Sequence, residues 1–240
     1  MKTVTTMLSL LLLAGVAAAA PSVPMLNSQP VTNEVQAIVD GGNSSAAVVR
    51  HYDNWTNPPS ALTGVFLSGT NEIADDLNMT PVGAGLLSTM GINGANASAA
   101  SNLTGGQIAV RFYTSGGLFI NGFNANLPAV SLAAGGSVRL SFPAGALLGL
   151  NIFLPTNCFC SLQWNTATFS GAGTTANCGF QTRGPIGIGA STDQMINVTT
   201  NTPFNFSGNP LANTGLFIDT EDAAVPTTRS TWGSIKSLYR

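Results

Sequence analysis

Short apolar runs alternate with clusters of Gly, Asn, Ser and Pro along most of the chain. The clearest run covers residues 107–113 and is rich in β-branched and aromatic side chains. In residues 137–142, the apolar Val138, Leu140 and Phe142 alternate with polar residues, as in a half-buried strand. Short strands separated by turn residues are typical of an all-β fold, and we expect an antiparallel β-sandwich.

The same pattern predicts further strands, while no segment keeps a helical period for long without a glycine. Helix is therefore expected to be minor in the core. The predicted strands cover residues 46–52, 64–67, 72–79, 84–92, 107–113, 117–124, 129–132, 137–142, 150–154, 159–164, 167–170 and 216–219.

The N-terminus has the features of a secretory signal peptide. Lys2 supplies the positive charge, residues 7–16 are apolar, and the alanines at positions 17–20 offer a cleavage site, which we place after Ala19. No later stretch reaches about 18 uninterrupted apolar residues, so no membrane span is expected in the mature chain. Residues 1–19 therefore predict secretion, with an extracellular or cell-surface location.

The rest of the chain divides by composition. Residues 20–45 form a Pro-, Asn- and Gly-rich lead-in expected to be a loop, residues 46–220 the sandwich domain, and residues 221–230 a linker. Residues 231–240 form an amphipathic C-terminal tail, a short helix with one apolar face that either attaches the protein to a partner or is a frayed terminus. The apolar face of the tail consists of Trp232, Ile235, Leu238 and Tyr239.

Charge is scarce, which excludes several classes of function. Charged residues make up 8% of the chain, against about a quarter in ordinary soluble domains. Between residues 21 and 223 there are four arginines, no lysine and a single histidine, His51. General acid–base catalysis and nucleic-acid binding depend on such groups, so we expect neither an enzyme nor a nucleic-acid partner.

The chain has three cysteines, Cys158, Cys160 and Cys178. Cys158 and Cys160 share a face if they lie on one strand, and a bridge between them would be strained. In a secreted protein, Cys178 is therefore expected to form a disulfide with one of them. A metal site is the weaker alternative, because no histidine lies nearby in the sequence.

Glu72, Asp75 and Asp76 form the densest acidic cluster of the domain. Carboxylate oxygens of this kind hold calcium in many extracellular proteins. On a strand, Asp76 shares a face with Glu72, and Asp75 lies opposite. The alternative is that one aspartate caps a turn while the others face water. Calcium is the one cofactor that the sequence suggests.

Trp55 lies in a polar loop, next to Tyr52 and Asp53. An exposed aromatic ring can stack on a sugar while a nearby carboxylate bonds its hydroxyls, and this makes the three residues a candidate ligand site. The alternative is that Trp55 closes the end of the sandwich. His51 and Asp53 could belong to a hydrolase triad, but the G-x-S-x-G motif that would place a nucleophile does not occur.

Four short motifs stand out along the domain: HYDNWTN at residues 51–57, GVFLSGTNEIADDLNM at 64–79, IAVRFYTSGG at 108–117 and LFIDT at 216–220. They resemble motifs of secreted bacterial β-sandwich domains in PEP-CTERM-type surface proteins. The resemblance covers residues 46–220 and implies a jelly-roll-like sandwich, exported and mostly of uncharacterised function. It does not extend to the PEP-CTERM anchor, since this chain ends in TWGSIKSLYR without the Pro-Glu-Pro motif.

Together these features favour an exported, non-enzymatic surface or extracellular-matrix domain with a structural or adhesive role. The first alternative is a carbohydrate-binding module that uses loop aromatics, and the second is a polysaccharide-active enzyme. The expected partner is a glycan or another surface protein.

Overall fold

The computed structural model describes residues 23–39, 49–54, 64–80, 85–128, 132–183, 186–192, 194–204 and 213–221. The signal peptide, the C-terminal tail and all of the linker except Glu221 lie outside these residues. Within them, strands dominate and the one α-helix is a single turn, α1, Ala144–Leu147. The predicted all-β class is therefore confirmed.

The strands follow the chain in this order. They are β1 Glu34–Gln36, β2 Ile38–Val39, β3 Val49–Asp53, β4 Gly64–Leu67, β5 Ile73–Asn78, β6 Gly85–Asn96, β7 Leu103–Thr114, β8 Phe119–Asn126, β9 Ser137–Phe142, β10 Phe153–Leu154, β11 Asn157–Phe169, β12 Cys178–Arg183, β13 Met195–Asn197, β14 Thr202–Phe204, β15 Asn213–Thr214 and β16 Leu216–Glu221. Two 3₁₀ turns cover Leu148–Leu150 and Thr175–Asn177.

The strands form two sheets. The first is seven-stranded, in the order β1-β8-β7-β11-β5-β13-β14, and all of its pairs are antiparallel except β1 with β8. The second is nine-stranded and is organised around the long strand β6. Strands β12 and β16 pair with one edge of β6, and β9 and β10 pair with the other.

One large hydrophobic core takes side chains from both sheets. Ile108 and Phe112 enter it from β7 of the first sheet, and Met90, Ile92 and Ile218 enter it from β6 and β16 of the second. A smaller cluster lies on the other face of the first sheet. Its members are Leu26, Ala74, Tyr113, Phe159, Ile196 and Val198.

The strands with the clearest alternation agree best with the sequence. Residues 64–67 and 137–142 match β4 and β9, and residues 107–113 lie within β7. The runs 159–164 and 167–170 belong to one strand, β11, which has a register shift between Trp164 and Thr166. A bulge of this kind breaks the alternation in the sequence while the strand continues.

The lead-in was expected to be a loop, and this is wrong for residues 34–39. Strand β1 lies at one edge of the first sheet, and β2 pairs with β9 of the second. Val35 and Ala37 are buried in the main core. The segment therefore belongs to both sheets, even though Pro, Asn and Gly surround it in the sequence.

Strands β12 to β15 were not predicted either. They are short, and polar residues interrupt their apolar positions, as in Cys178–Arg183 with its Gly, Gln, Thr and Arg. Strand β13 pairs with β5, and β12 pairs with β6 and β4, all of which lie far away in sequence. Among the described residues there is no helix with the length and hydropathy needed to cross a bilayer.

Candidate functional site

The acidic residues predicted to bind calcium lie on or beside β5, and they separate onto two faces of the first sheet. Ala74 of β5 belongs to the outer cluster with Tyr113, whereas Leu77 belongs to the main core. Glu72 contacts Tyr113 on the outer face, while Asp75 is bonded by Thr214 of the second sheet. Glu72 and Asp75 therefore do not converge.

Glu72 is fully buried in a network of its own. The hydroxyl groups of Tyr113 and Ser161 donate to its Oε1 at 2.8 and 2.5 Å. Arg111 Nη1 lies 3.3 Å from its Oε2, an ion pair that lacks hydrogen-bond geometry. Arg111 Nε also donates to the carbonyl of Gln29 at 2.5 Å. This network ties the N-terminal segment to the outer face of the first sheet, which is a structural role.

Asp75 and Asp76 meet at a short loop, residues 191–194, and we call this cluster the Asp75–Asp76 site. Ser191 Oγ lies 3.0 Å from both Asp75 Oδ1 and Asp76 Oδ1. The amide of Thr192 donates to both Asp76 oxygens at 3.1 Å, and its hydroxyl donates to Oδ1 at 3.0 Å. Asn213 Oδ1 is 2.9 Å from Ser191 Oγ and completes the site.

The strand register explains why the loop reaches both carboxylates. Ala190 forms a bridge with Asn78, and Met195 then pairs with Asp75. Four positions of the sequence, 191–194, separate these two pairs on one side and only two, 76 and 77, on the other, and Ser191 and Thr192 come to lie beside Asp76. Asp193, inside this loop, lies outside the described residues.

Asp75 is buried on the core side of β5. Burial raises its pKa from 3.8 to about 8. The amide of Thr214 donates to Oδ2 at 2.6 Å and opposes this shift, whereas the charge of Asp76 adds to it. The other titratable groups that face Asp75 are Tyr52 and Cys160, and burial raises the pKa of both well above the ordinary values. Without a bound cation, Asp75 is therefore protonated at neutral pH.

This leads to a prediction about pH. Since the pKa of Asp75 is about 8 in the folded protein and ordinarily 3.8 for an aspartate, the folded state retains a proton that the unfolded chain releases between these values. The free energy of unfolding should fall as pH rises from about 4 to about 8, and level off above. In EDTA, Asp75→Asn should flatten this fall and be the more stable protein at pH 8.

Urea unfolding at several pH values measures this effect. Glu34→Gln is the matched control, because Glu34 is exposed and its substitution removes the same charge. A wild-type profile that rises toward pH 8, or an unchanged slope in Asp75→Asn, contradicts the prediction.

A pocket of about 190 Å³ opens on the outer face beside Asp76. Phe159 and Ile196 provide apolar lining, and Thr192 and Gln194 provide polar groups. Val23 and Pro24 of the N-terminal segment complete it. The pocket and the Asp75–Asp76 site thus share Asp76 and Thr192.

The predicted ligand residues are placed differently. Tyr52 is fully buried, so its ring offers no surface to a sugar. Asp53 is also buried and lies 2.9 Å from Arg50 Nη1, while Arg50 Nε lies 2.7 Å from Asp219 Oδ1. Trp55 lies outside the described residues, so its part in ligand binding stays a prediction.

The expected disulfide is not formed, and Cys158, Cys160 and Cys178 are all buried free thiols. The indole of Trp164 donates to the carbonyl of Gly179 at 3.1 Å, which places the adjacent Cys178 near that position of β11. Cys160 lies four residues from Trp164 along β11, or about 13 Å at the rise of a strand. A disulfide cannot span Cα separations above about 7 Å.

The thiols should therefore react only after unfolding. Burial raises the pKa of Cys158 and of Cys178 to about 12, which leaves little thiolate at pH 8. We expect all three cysteines to react with Ellman's reagent in urea and to be protected in the native protein. Rapid reaction of the native protein, or a disulfide found by non-reducing peptide mapping, contradicts this expectation.

Sequence reasoning missed Ser191, Thr192, Asn213 and Thr214, which complete the Asp75–Asp76 site. These residues lie more than 100 positions from Asp75 in the chain. Asn, Ser and Thr are so common in this sequence that their presence at any one position carries no signal. They reach Asp75 through the pairing of β13 with β5 and of β15 with β12.

Comparisons with protein-family models, with curated proteins and with solved structures find no match to this chain.

Proposed function

We propose that this chain is an exported, non-enzymatic domain with a structural or adhesive role at the cell surface or in the extracellular matrix. Its two sheets share one core, which supports a β-sandwich of the jelly-roll-like kind. The signal-peptide pattern of residues 1–19 supports export, and the motif resemblance to PEP-CTERM-type surface proteins supports the location.

The observation that carries this proposal is that Arg50 and Arg111 form ion pairs within the domain. Arg50 pairs with Asp53 and Asp219, and its guanidinium carbon lies 4.1 Å from the centre of the Phe217 ring. Arg111 pairs with the buried Glu72. These ionic groups stabilise the strands and the N-terminal segment. With 8% charged residues in the chain, the polar groups available to a partner are mainly amides and hydroxyls, which suits contact with neutral polymers or other surface proteins.

Expression of the full chain in a bacterial host, followed by cell fractionation and N-terminal sequencing, tests the proposal. We expect the protein outside the cytoplasm, beginning at Ala20. Deletion of residues 231–240 should lower the cell-bound fraction and leave export unchanged, if the tail attaches the domain. Full-length protein in the cytoplasm with an intact N-terminus would refute export.

A carbohydrate-binding module is the second candidate, and the pocket beside Asp76 favours it. A phenylalanine with a carboxylate, a hydroxyl and an amide around it is the combination that binds a single sugar ring. Binding on a glycan array that is lost in Gln194→Ala would support this function at the pocket. Loss in Trp55→Ala alone would place the sugar site at Trp55 instead.

A further inference from the structure

In the Asp75–Asp76 site, one hydroxyl group has more oxygen atoms within hydrogen-bond distance than it can donate to. Ser191 Oγ has two carboxylate oxygens at 3.0 Å. It also has the Thr192 carbonyl oxygen at 3.0 Å and Asn213 Oδ1 at 2.9 Å. A hydroxyl carries one proton and can donate to one of these atoms. The remaining close oxygen pairs need a positive charge or an additional proton between them.

The two arginines with ion pairs among the described residues do not supply that charge. Arg50 is paired with Asp53 and Asp219, and Arg111 with Glu72. Within the described part of the chain, no salt bridge reaches Asp75 or Asp76. Among the described residues, two adjacent acids, one of them fully buried, therefore lie together without a cationic side chain, and ionising both would cost free energy in the absence of a counter-ion.

Tyr52 provides a second, independent observation. Its side chain is fully buried and is directed at Ser191, yet its hydroxyl has no partner in hydrogen-bond geometry among the described residues. After burial, the charges of Asp75 and Asp76 are the next causes that raise its pKa, which places the hydroxyl at this site. Leaving a buried hydroxyl without a hydrogen-bond partner costs free energy, and a bound ion with its water would provide a partner.

We propose that the Asp75–Asp76 site binds a calcium ion. Its ligands are the carboxylates of Asp75 and Asp76, the amide oxygen of Asn213 and oxygens of Ser191 and Thr192. Calcium accepts six to eight oxygen ligands of mixed type in flexible geometry, whereas magnesium requires a near-ideal octahedron. Asp76 also lines the open pocket, which gives the ion a path from solvent.

This site differs from the one that the sequence suggests. Glu72 is committed to Arg111, Tyr113 and Ser161 on the outer face, so it is not a ligand. Two carboxylates and several neutral oxygens replace the three predicted acids. The site does not depend on the proposed surface role, because its evidence is internal to the domain.

Terbium luminescence on the mature full chain tests the proposal directly. Tb³⁺ occupies calcium sites, and Tyr52 lies close enough to sensitise it. After EDTA treatment and dialysis, we expect a saturable signal that calcium displaces, with a calcium Kd of roughly 10⁻⁴–10⁻³ M, as in extracellular modules. Isothermal titration with calcium alone measures the same constant without the lanthanide.

Asp75→Asn/Asp76→Asn should abolish both signals, and Glu34→Gln should leave them unchanged. Asp76→Asn alone is the second variant, because Asp76 is only half-buried and its substitution disturbs folding less than that of the buried Asp75. This variant should bind calcium at least tenfold more weakly. Circular dichroism checks that each variant retains its sheets.

Three outcomes overturn the proposal. One is the absence of calcium binding at millimolar concentration, which leaves a shared proton between the carboxylates as the explanation. Another is binding that survives in the double variant, which places the ion elsewhere. The third is tighter binding of magnesium than of calcium.

Discussion

Arg111→Met should lower the free energy of unfolding by about 3–5 kcal/mol, the cost of removing one partner of a buried ion pair. Glu72 would stay fully buried with its charge uncompensated, although Tyr113 and Ser161 still donate to one oxygen. The substitution also removes the bond from Arg111 Nε to the carbonyl of Gln29. The N-terminal segment should then separate from the sheet before the core unfolds.

Urea unfolding followed by circular dichroism measures the loss, and limited proteolysis of the native protein detects release of residues 23–33. Arg139→Met is the matched control, since it removes the same charge and Arg139 is only half-buried on β9. In Arg111→Met/Glu72→Gln, most of the lost stability should return, because a neutral amide replaces the isolated charge. A loss below about 1 kcal/mol in the single variant, or no recovery in the double variant, contradicts the interpretation.

Period-two alternation explains why much of the strand pattern could be predicted from the sequence. Val138, Leu140 and Phe142 all point into the main core from β9, as their spacing requires. Strand β13, Met195–Asn197, has only three residues, too few to show a period. The partners that stabilise it, on β5, lie about 120 positions earlier in the chain, and local sequence contains no information about them.

The candidate site, too, could be predicted only in part from the sequence. The cluster of acids around β5 was visible in the sequence, and so was its calcium chemistry. Which acids come together was not, because alternation assigns a face to each residue and does not say what lies opposite that face. The order of the strands in the sheet decides these contacts. It brings Arg111 to Glu72, and it brings Ser191 to Asp75 and Asp76.

The disulfide prediction is wrong for a related reason. The spacing of Cys158 and Cys160 indicated a shared face, and both enter the main core. The spacing to Cys178 suggested a closable loop, but the chain between them first completes the long strand β11 and then enters the other sheet at β12. Proximity in sequence was therefore a poor guide to proximity in space.

Trp164→Ala should be among the most destabilising single substitutions, with an expected loss of about 3–5 kcal/mol from the cavity alone. Trp164 is fully buried on β11 of the first sheet, and its ring centre lies 6.0 Å from that of Phe180 on β12 of the second. A methyl group added at Gly94 on β6 would approach the indole to 3.3 Å, so the ring fits closely against that strand. The substitution removes packing between the sheets and the bond to the carbonyl of Gly179.

Trp164→Phe separates these two contributions. It retains most of the ring and loses the indole donor, so we expect a smaller loss in the free energy of unfolding than for Trp164→Ala. The smaller ring accounts for part of this loss. The Gly179 carbonyl, left without its donor, accounts for about 1–3 kcal/mol. Circular dichroism is the appropriate signal for urea unfolding, since both variants change the fluorescence. If Trp164→Ala costs no more than Trp164→Phe, the ring does not hold the sheets together. The contact between β11 and β12 must then depend on the shorter side chains around it.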